Sequence, residues 1–277
     1  MNKVTLLLSK KHFIAVWCVV VALLWLPIQG SACCGDFPLE GLEAFERVGA
    51  NEVVRLDTPG QCEILQPGAS NQRYPVLLWS GAAGLSQESY VQGLTHIATY
   101  GFVVAIAPTM SNSRPDLLLA CVDEVTNYSD RADLSQIAVA GHSIGASSAI
   151  GAGIDSRVTT VLAVEPLLNE NSGHLPSWHS TQQGPLLLLL GERDSIATID
   201  MSEPLFEDAN VPVFSVADAY ATHFEPFRDL GVFKPMMTGW LRYVFYNDQN
   251  ARDLFVLPER VICNEEDLSC EVKGDFQ

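Results

Sequence analysis

Apolar positions along this chain change character at about residue 74. Beyond it, short apolar runs without polar alternation recur at 76–79, 102–107, 137–140, 160–164, 186–190 and 213–216, the pattern of parallel strands buried on both faces. Helical stretches separate them, at 87–100, 115–128, 146–152, 202–209 and 226–246. Ahead of residue 74 the signal is weaker. Residues 52–57 and 62–66 alternate enough for two edge strands joined at Thr58-Pro59-Gly60, and a short helix is expected near 39–47. Strand and helix repeated in this way specify an α/β fold: a doubly wound, mostly parallel sheet with helices on both faces. Reactive residues in such a sheet lie on loops at the carboxyl ends of its strands.

Composition fits one domain of that kind. The chain has 277 residues, 48% of them hydrophobic, enough for a single large core over residues 33–277. The first 32 residues read differently. Lys3, Lys10 and Lys11 precede an apolar run over 13–26, followed by Pro27 and the small-residue site Gly30-Ser31-Ala32. This is the order of a secretory signal peptide cleaved after Ala32. The run falls short of the roughly 20 residues a spanning helix needs, so the mature chain is expected to hold no integral membrane span and to be secreted or periplasmic. Lipid attachment through Cys33 is the variant reading, although Gly30 stands where a large aliphatic residue precedes the small pair before a lipidated cysteine.

Removing 1–32 takes away three lysines and no acidic residue, which moves the net charge from −17 to −20. A nucleic-acid or anionic-membrane partner is thereby disfavoured, and a monomer with a solvated acidic surface is expected. Six cysteines remain: Cys33, Cys34, Cys62, Cys121, Cys263 and Cys270. An even count in an exported chain implies disulfides. Cys263 and Cys270 flank the polar loop Asn264-Glu-Glu-Asp-Leu-Ser269 and are expected to pair, at about 2.5 kcal/mol in the chain-entropy description. The pairing of the other four is left open. No C-x-x-C or histidine pair at ligand spacing accompanies them, so neither metal nor cofactor is expected.

The strand 137–140 runs directly into Gly141-His142-Ser143-Ile144-Gly145, followed by the small-residue stretch 146–152. G-x-S-x-G between a buried strand and a helix is the spelling of a nucleophile elbow. The serine sits on a strained turn with its hydroxyl exposed, and side chains at the two glycines would strike neighbouring backbone. A serine hydroxyl is a poor nucleophile at neutral pH, so a histidine must take its proton and an acid must orient that histidine. The chain order for this architecture is serine, acid, histidine. His223, in the loop after the last parallel strand, is the one histidine of six that leaves room for an acid between. Asp194, on the loop after the leucine strand, is the expected acid, with Glu192 next and Asp200, Asp208 and Asp218 as rivals. Two fixed N–H donors are needed for the oxyanion, each worth about 3 kcal/mol. The Ile144 amide is expected to be one. The other is expected from the loop Ser80-Gly81-Ala82-Ala83-Gly84, at Ala82 with Ala83 as the alternative.

From about residue 76 to 255 the chain resembles the secreted cutinase-like and poly(ethylene terephthalate) hydrolases, within the wider dienelactone-hydrolase-like and chlorophyllase-like α/β-hydrolases. The resemblance rests on Ser80-Gly81 followed by a helix, Tyr100-Gly-Phe-Val-Val104, the elbow, Asp194-Ser-Ile-Ala197, Trp240-Leu-Arg-Tyr243 with Asn247-Asp248, and the paired cysteines near the C-terminus. It implies the α/β-hydrolase fold and an ester substrate, small or polymeric. Ala82 stands where that group has an aromatic residue, and Glu165-Pro166-Leu167 where it has a tryptophan, so the aromatic clamp on a polymeric acid is weakened. Ala83, Leu167 and Trp178 are the expected substrate contacts, and residues 168–184, with His174, Trp178 and His179, are expected either to supply replacement binding groups or to form a plain surface loop.

The function expected from all this is an exported serine hydrolase cleaving carboxylic esters through an acyl-enzyme, with Ser143, His223 and Asp194 as the triad. Two alternatives remain at this point: an amidase or acylpeptidase using the same triad, and a noncatalytic binding protein on a hydrolase scaffold.

Overall fold

A computed structural model describes residues 41–68 and 71–276. The expected signal peptide, with Cys33 and Cys34, lies outside the described residues. Among those described, nine strands make one sheet: β1 (Val53–Leu56), β2 (Glu63–Pro67), β3 (Tyr74–Ser80), β4 (Val103–Ile106), β5 (Ala132–His142), β6 (Val158–Val164), β7 (Leu186–Gly191), β8 (Val213–Asp218) and β9 (Leu268–Lys273). Their order across the sheet is β1-β2-β4-β3-β5-β6-β7-β8-β9. The six strands from β4 to β8 in that order are parallel, and β1, β2 and β9 join antiparallel at the two edges. The helices are α1 (Glu43–Glu46), α2 (Val91–Thr99), α3 (Pro115–Tyr128), α4 (Ile144–Ala152), α5 (Glu203–Asp208), α6 (Phe233–Tyr246) and α7 (Gln249–Phe255).

Period-two alternation along the strands divides the interior into two cores. Leu77, Trp79, Ala138, Ala140, Leu187 and Leu189 face α2, α6 and α7, meeting Leu94, Met237, Trp240 and Phe255. Val76, Leu78, Ile137, Val139, Leu186 and Leu188 face the other way, onto Leu118 and Val125 of α3, Ala146 and Ala149 of α4 and Leu205 of α5. Because both faces are covered, every residue of β3, β4, β7 and β8 is buried. This is why those strands read as unbroken apolar runs.

The winding also places the site. From β3 the chain moves to β4 on one side, then crosses back to β5 on the other. The order reverses between β3 and β5, the position at whose strand carboxyl ends open α/β sheets bind their ligands. Ser80 pairs with Gly141 there, so the glycine loop after β3 and the elbow after β5 are neighbours.

Several boundaries differ from those expected. The closing helix starts at Phe233, because residues 223–229 are turns and Arg228 (φ 73°) and Leu230 (φ 67°) take left-handed backbone that no right-handed helix can include. The helix expected over 87–100 opens with a separate 3-10 turn at Gln87–Ser89 before α2. That expected near 39–47 reduces to the single turn α1. The strand expected at 137–140 extends over all of β5, with Gly141 and His142 in the ladder. The last two residues of the polar loop between Cys263 and Cys270, Leu268 and Ser269, begin β9, whose alternation of half-buried and exposed residues suits an edge strand paired on one side. The disulfide Cys263–Cys270 is present, and a second joins Cys62 of the β1–β2 side to Cys121 of α3. No helix among the described residues is long and apolar enough to cross a membrane.

Candidate active site

Ser143 sits between β5 and α4 with φ 59° and ψ −121°, a backbone region that costs a non-glycine residue about 1–3 kcal/mol unless its surroundings enforce it. Two hydrogen bonds enforce it here. The Ser143 amide donates to the Val164 carbonyl at 3.0 Å, and the Leu167 amide donates to the Ser143 carbonyl at 3.1 Å. The glycines serve the same turn: a Cβ on Gly145 would run into the carbonyls of Ser80 and Gly81, and one on Gly141 into the Gly145 carbonyl. All nine residues of α4 are buried, and its small side chains let it lie close behind the turn.

Asp194 and His223 come from the loops after β7 and β8, and those loops are laced together. The Glu192 amide donates to the Asp218 carbonyl at 2.9 Å and the Arg193 amide to the Ala221 carbonyl at 3.1 Å. Asp218, a rival for the acid, instead shapes the histidine loop: its Oδ1 accepts the amides of Tyr220 and Ala221 at 2.8 and 2.7 Å. Asp194 Oδ1 accepts the amides of Ile196 and Ala197 at 2.7 and 2.8 Å. Its Oδ2 lies 2.7 Å from His223 Nδ1, and His223 Nε2 lies 2.8 Å from Ser143 Oγ. A carboxylate has no proton to give, so Nδ1 carries the ring proton and Nε2 accepts from the serine hydroxyl. The three residues are only 5–6% exposed, so this relay is shielded from competing water.

Around the relay the other residues named from the sequence take distinct places. Ile144 opens α4, where the first helical amides have no intrahelical acceptor. Ala82 is buried and its amide donates to the Tyr90 hydroxyl at 3.0 Å, so it does not stand vacant. Ala83 is exposed on the same loop, and Leu167 is half-buried beside the Ser143 carbonyl. Trp178 lies elsewhere: its ring packs on Gly151 near the far end of α4 and edge-on to His174. Residues 168–184 are not a plain surface loop. His174 and His179 are buried, linked from Ser147 Oγ to His174 Nδ1 at 3.0 Å and from His174 Nε2 to His179 Nε2 at 2.7 Å. Burial, with His179 as neighbour, pulls the His174 pKa down to about 4. Of the remaining acid rivals, Glu192 and Asp200 are exposed, and Asp208 ends α5 at 3.8 Å from His179.

Three buried groups beside the triad were not assigned from the sequence. Tyr90, fully buried, places its hydroxyl 2.8 Å from His142 Nδ1. Glu165 directly follows β6 with its carboxyl fully buried, 3.4 Å from His142 Nε2. Burial first, then the charges of Asp194, Glu225 and Asp218, push the Glu165 carboxyl up to about 9. Burial and the neighbouring His223 hold the His142 imidazole well below its ordinary range. An acidic residue ending an apolar strand beside the elbow was the available signal for Glu165, whereas nothing in the sequence marks Tyr90. His142, Glu165 and His223 also bring ligand-type atoms within 4.8 Å of one another. With both nitrogens of His223 engaged by Asp194 and Ser143, that group offers a metal only two ligands while the relay is formed. Compared with known proteins, the chain matches no family model and no curated sequence.

Proposed function

We propose that this chain is an exported serine hydrolase of the α/β-hydrolase fold that cleaves carboxylic esters through an acyl-enzyme. The observation that carries this reading is the Asp194–His223–Ser143 relay, at 2.7 and 2.8 Å, on a strained strand-to-helix turn. In the first half-reaction Ser143 Oγ attacks the ester carbonyl while His223 Nε2 takes its proton. The resulting imidazolium is stabilised by Asp194, and the tetrahedral oxyanion by the Ile144 amide together with the loop after β3. His223 then returns the proton to the departing alkoxide, leaving an acyl group on Ser143. Water, deprotonated by the same imidazole, releases the acid and regenerates the serine.

Further observations support details of this reading. Ile196, Tyr220 and Phe224, on the acid and histidine loops, are exposed; apolar side chains beside the relay favour an apolar acyl group or an ester-linked polymer over a charged substrate. The resemblance to cutinase-like enzymes points the same way. Two disulfides fit an oxidising compartment, as export through residues 1–32 would provide. Substituting Ser143→Ala should cut turnover of a p-nitrophenyl ester by about 10⁵-fold or more, the scale of losing the nucleophile of such a triad, with an unchanged circular dichroism spectrum. Retained turnover in that variant would end the proposal. Comparing an ester with its matched anilide separates esterase from amidase.

A further inference from the structure

Acyl transfer as described makes no use of Glu165, yet its carboxyl is buried beside the relay. It is fully buried and stands at φ 44°, in left-handed backbone that a glutamate rarely keeps. Neither carboxyl oxygen has a hydrogen-bond partner among the described residues, and neither does His142 Nε2. Gly191, at the end of β7, leaves the space the carboxyl occupies: a Cβ there would stand 2.8 Å from Glu165 Oε1. On its far side His142 meets Tyr90 at 2.8 Å, and Tyr90 holds the Ala82 amide at 3.0 Å. The His142 ring also lies 4.9 Å from that of His223. One buried line of groups therefore joins the end of β6 to the loop after β3, passing directly beside the general base.

The protons along this line can be placed. Tyr90 Oη accepts from the Ala82 amide, and its own buried O–H proton needs an acceptor, which His142 Nδ1 at 2.8 Å supplies; the Tyr90 hydroxyl is therefore assigned as the donor to Nδ1. That leaves the His142 proton on Nε2, 3.4 Å from Glu165 Oε2 and beside the His223 backbone. We propose that Glu165 is a positioning residue of the esterase site: acting through His142 and Tyr90, its carboxyl fixes the loop of Ala82 and the loop of His223 in one arrangement. The proposal rests on the serine-esterase reading. The groups facing this carboxyl are His142, His223, Asp194, Asp218 and Glu225. At neutral pH it is protonated, since burial and the three acids push it up to about 9. Ionisation would put a second negative charge beside Asp194, with only a neutral His142 against it, and the line would loosen.

The test compares wild type, Glu165→Gln and Glu165→Ala in ester hydrolysis from about pH 6 to 10, corrected for the spontaneous rate, alongside denaturant unfolding over the same range. Glu165→Ala is expected to lower kcat about tenfold with KM within about twofold, a loss of transition-state positioning rather than of substrate binding. Glu165→Gln, the same shape without a charge to gain, is expected to recover most of that kcat. Wild type alone should lose kcat as pH rises through about 9. Unfolding supplies a readout independent of turnover. A carboxyl whose pKa is raised by folding contributes stability that is fully present below its unfolded value of about 4.5 and is lost as pH climbs to about 9. The Gln variant should therefore become progressively more stable relative to wild type across that window. An active wild type whose alkaline fall and unfolding profile are both shared by Glu165→Gln overturns the positioning role and leaves the esterase standing. A wild type that neither hydrolyses an ester nor reacts with an organophosphonate overturns the esterase reading, and the proposal with it.

Discussion

The strain at Ser143, φ 59°, persists because its neighbours leave the backbone no alternative. Gly145 is the most confined of them, so Gly145→Ala is expected to cost about 1–3 kcal/mol by overpacking, measured as a lower denaturant midpoint, and to lower turnover by displacing the hydroxyl from His223. Asp194 holds His223 in the tautomer that leaves Nε2 unprotonated, able to accept from Ser143. Asp194→Asn keeps the shape and inverts the hydrogen bond, and should lower kcat by about 10⁴-fold, the scale seen when a triad histidine is held in the wrong tautomer; a kcat within tenfold of wild type would show that the acid lies elsewhere. Much of this was legible in the chain. G-x-S-x-G fixed the serine by its spelling, while Asp194 and His223 followed from the order in which strand-end loops must supply an acid and a base. Tyr90, His142 and Glu165 were not legible as a set. They meet across 52 residues in one case, and what marks them is deep burial, with the Glu165 carboxyl and His142 Nε2 left without a hydrogen-bond partner, a property of three dimensions only.

Parallel strands were legible for the same physical reason that they are central: covered on both faces, they have no polar alternation. The edge strands β1 and β2 show only a weaker alternation, and the start of β9, at Leu268 and Ser269, falls within the stretch that reads as a polar loop. The disulfides act on these outer elements. Cys62–Cys121 closes a separation of 59 residues and Cys263–Cys270 one of 7. In the chain-entropy description these correspond to about 4 and about 2.5 kcal/mol, so the double serine variant at 62 and 121 should lower the denaturant midpoint more than that at 263 and 270. The segment 168–184 is pinned to α4 by Ser147, His174 and His179. Folding lowers the His174 pKa from 6.5 to about 4, so the unfolded chain gains the proton first and stability is lost as pH falls through that interval. His179, also lowered by burial, adds to the effect, and Asp208 opposes it. Replacing His174 with Gln should flatten the fall in Tm between about pH 6.5 and pH 4; an unchanged slope would mean the pair does not carry the acid sensitivity.

For the molecule as a whole, the formal charge is −17 over the full sequence, and self-repulsion at low salt opposes compactness. Raising ionic strength from about 0.01 M to about 0.15 M shortens the Debye length from about 30 to about 8 Å, so Tm at pH 7 should rise with added sodium chloride. The same charge should keep the protein from binding DNA at either salt concentration. None of these properties identifies the chemistry; the proposed hydrolysis rests on three side chains brought together by loops at one end of a single sheet. The measurement that addresses them most directly is the mass of the intact protein, followed by peptide mapping, after exposure to a p-nitrophenyl phosphonate. One phosphonyl adduct, located on Ser143 and absent from Ser143→Ala, is the predicted result. An unmodified Ser143 in a protein that still hydrolyses esters would contradict it.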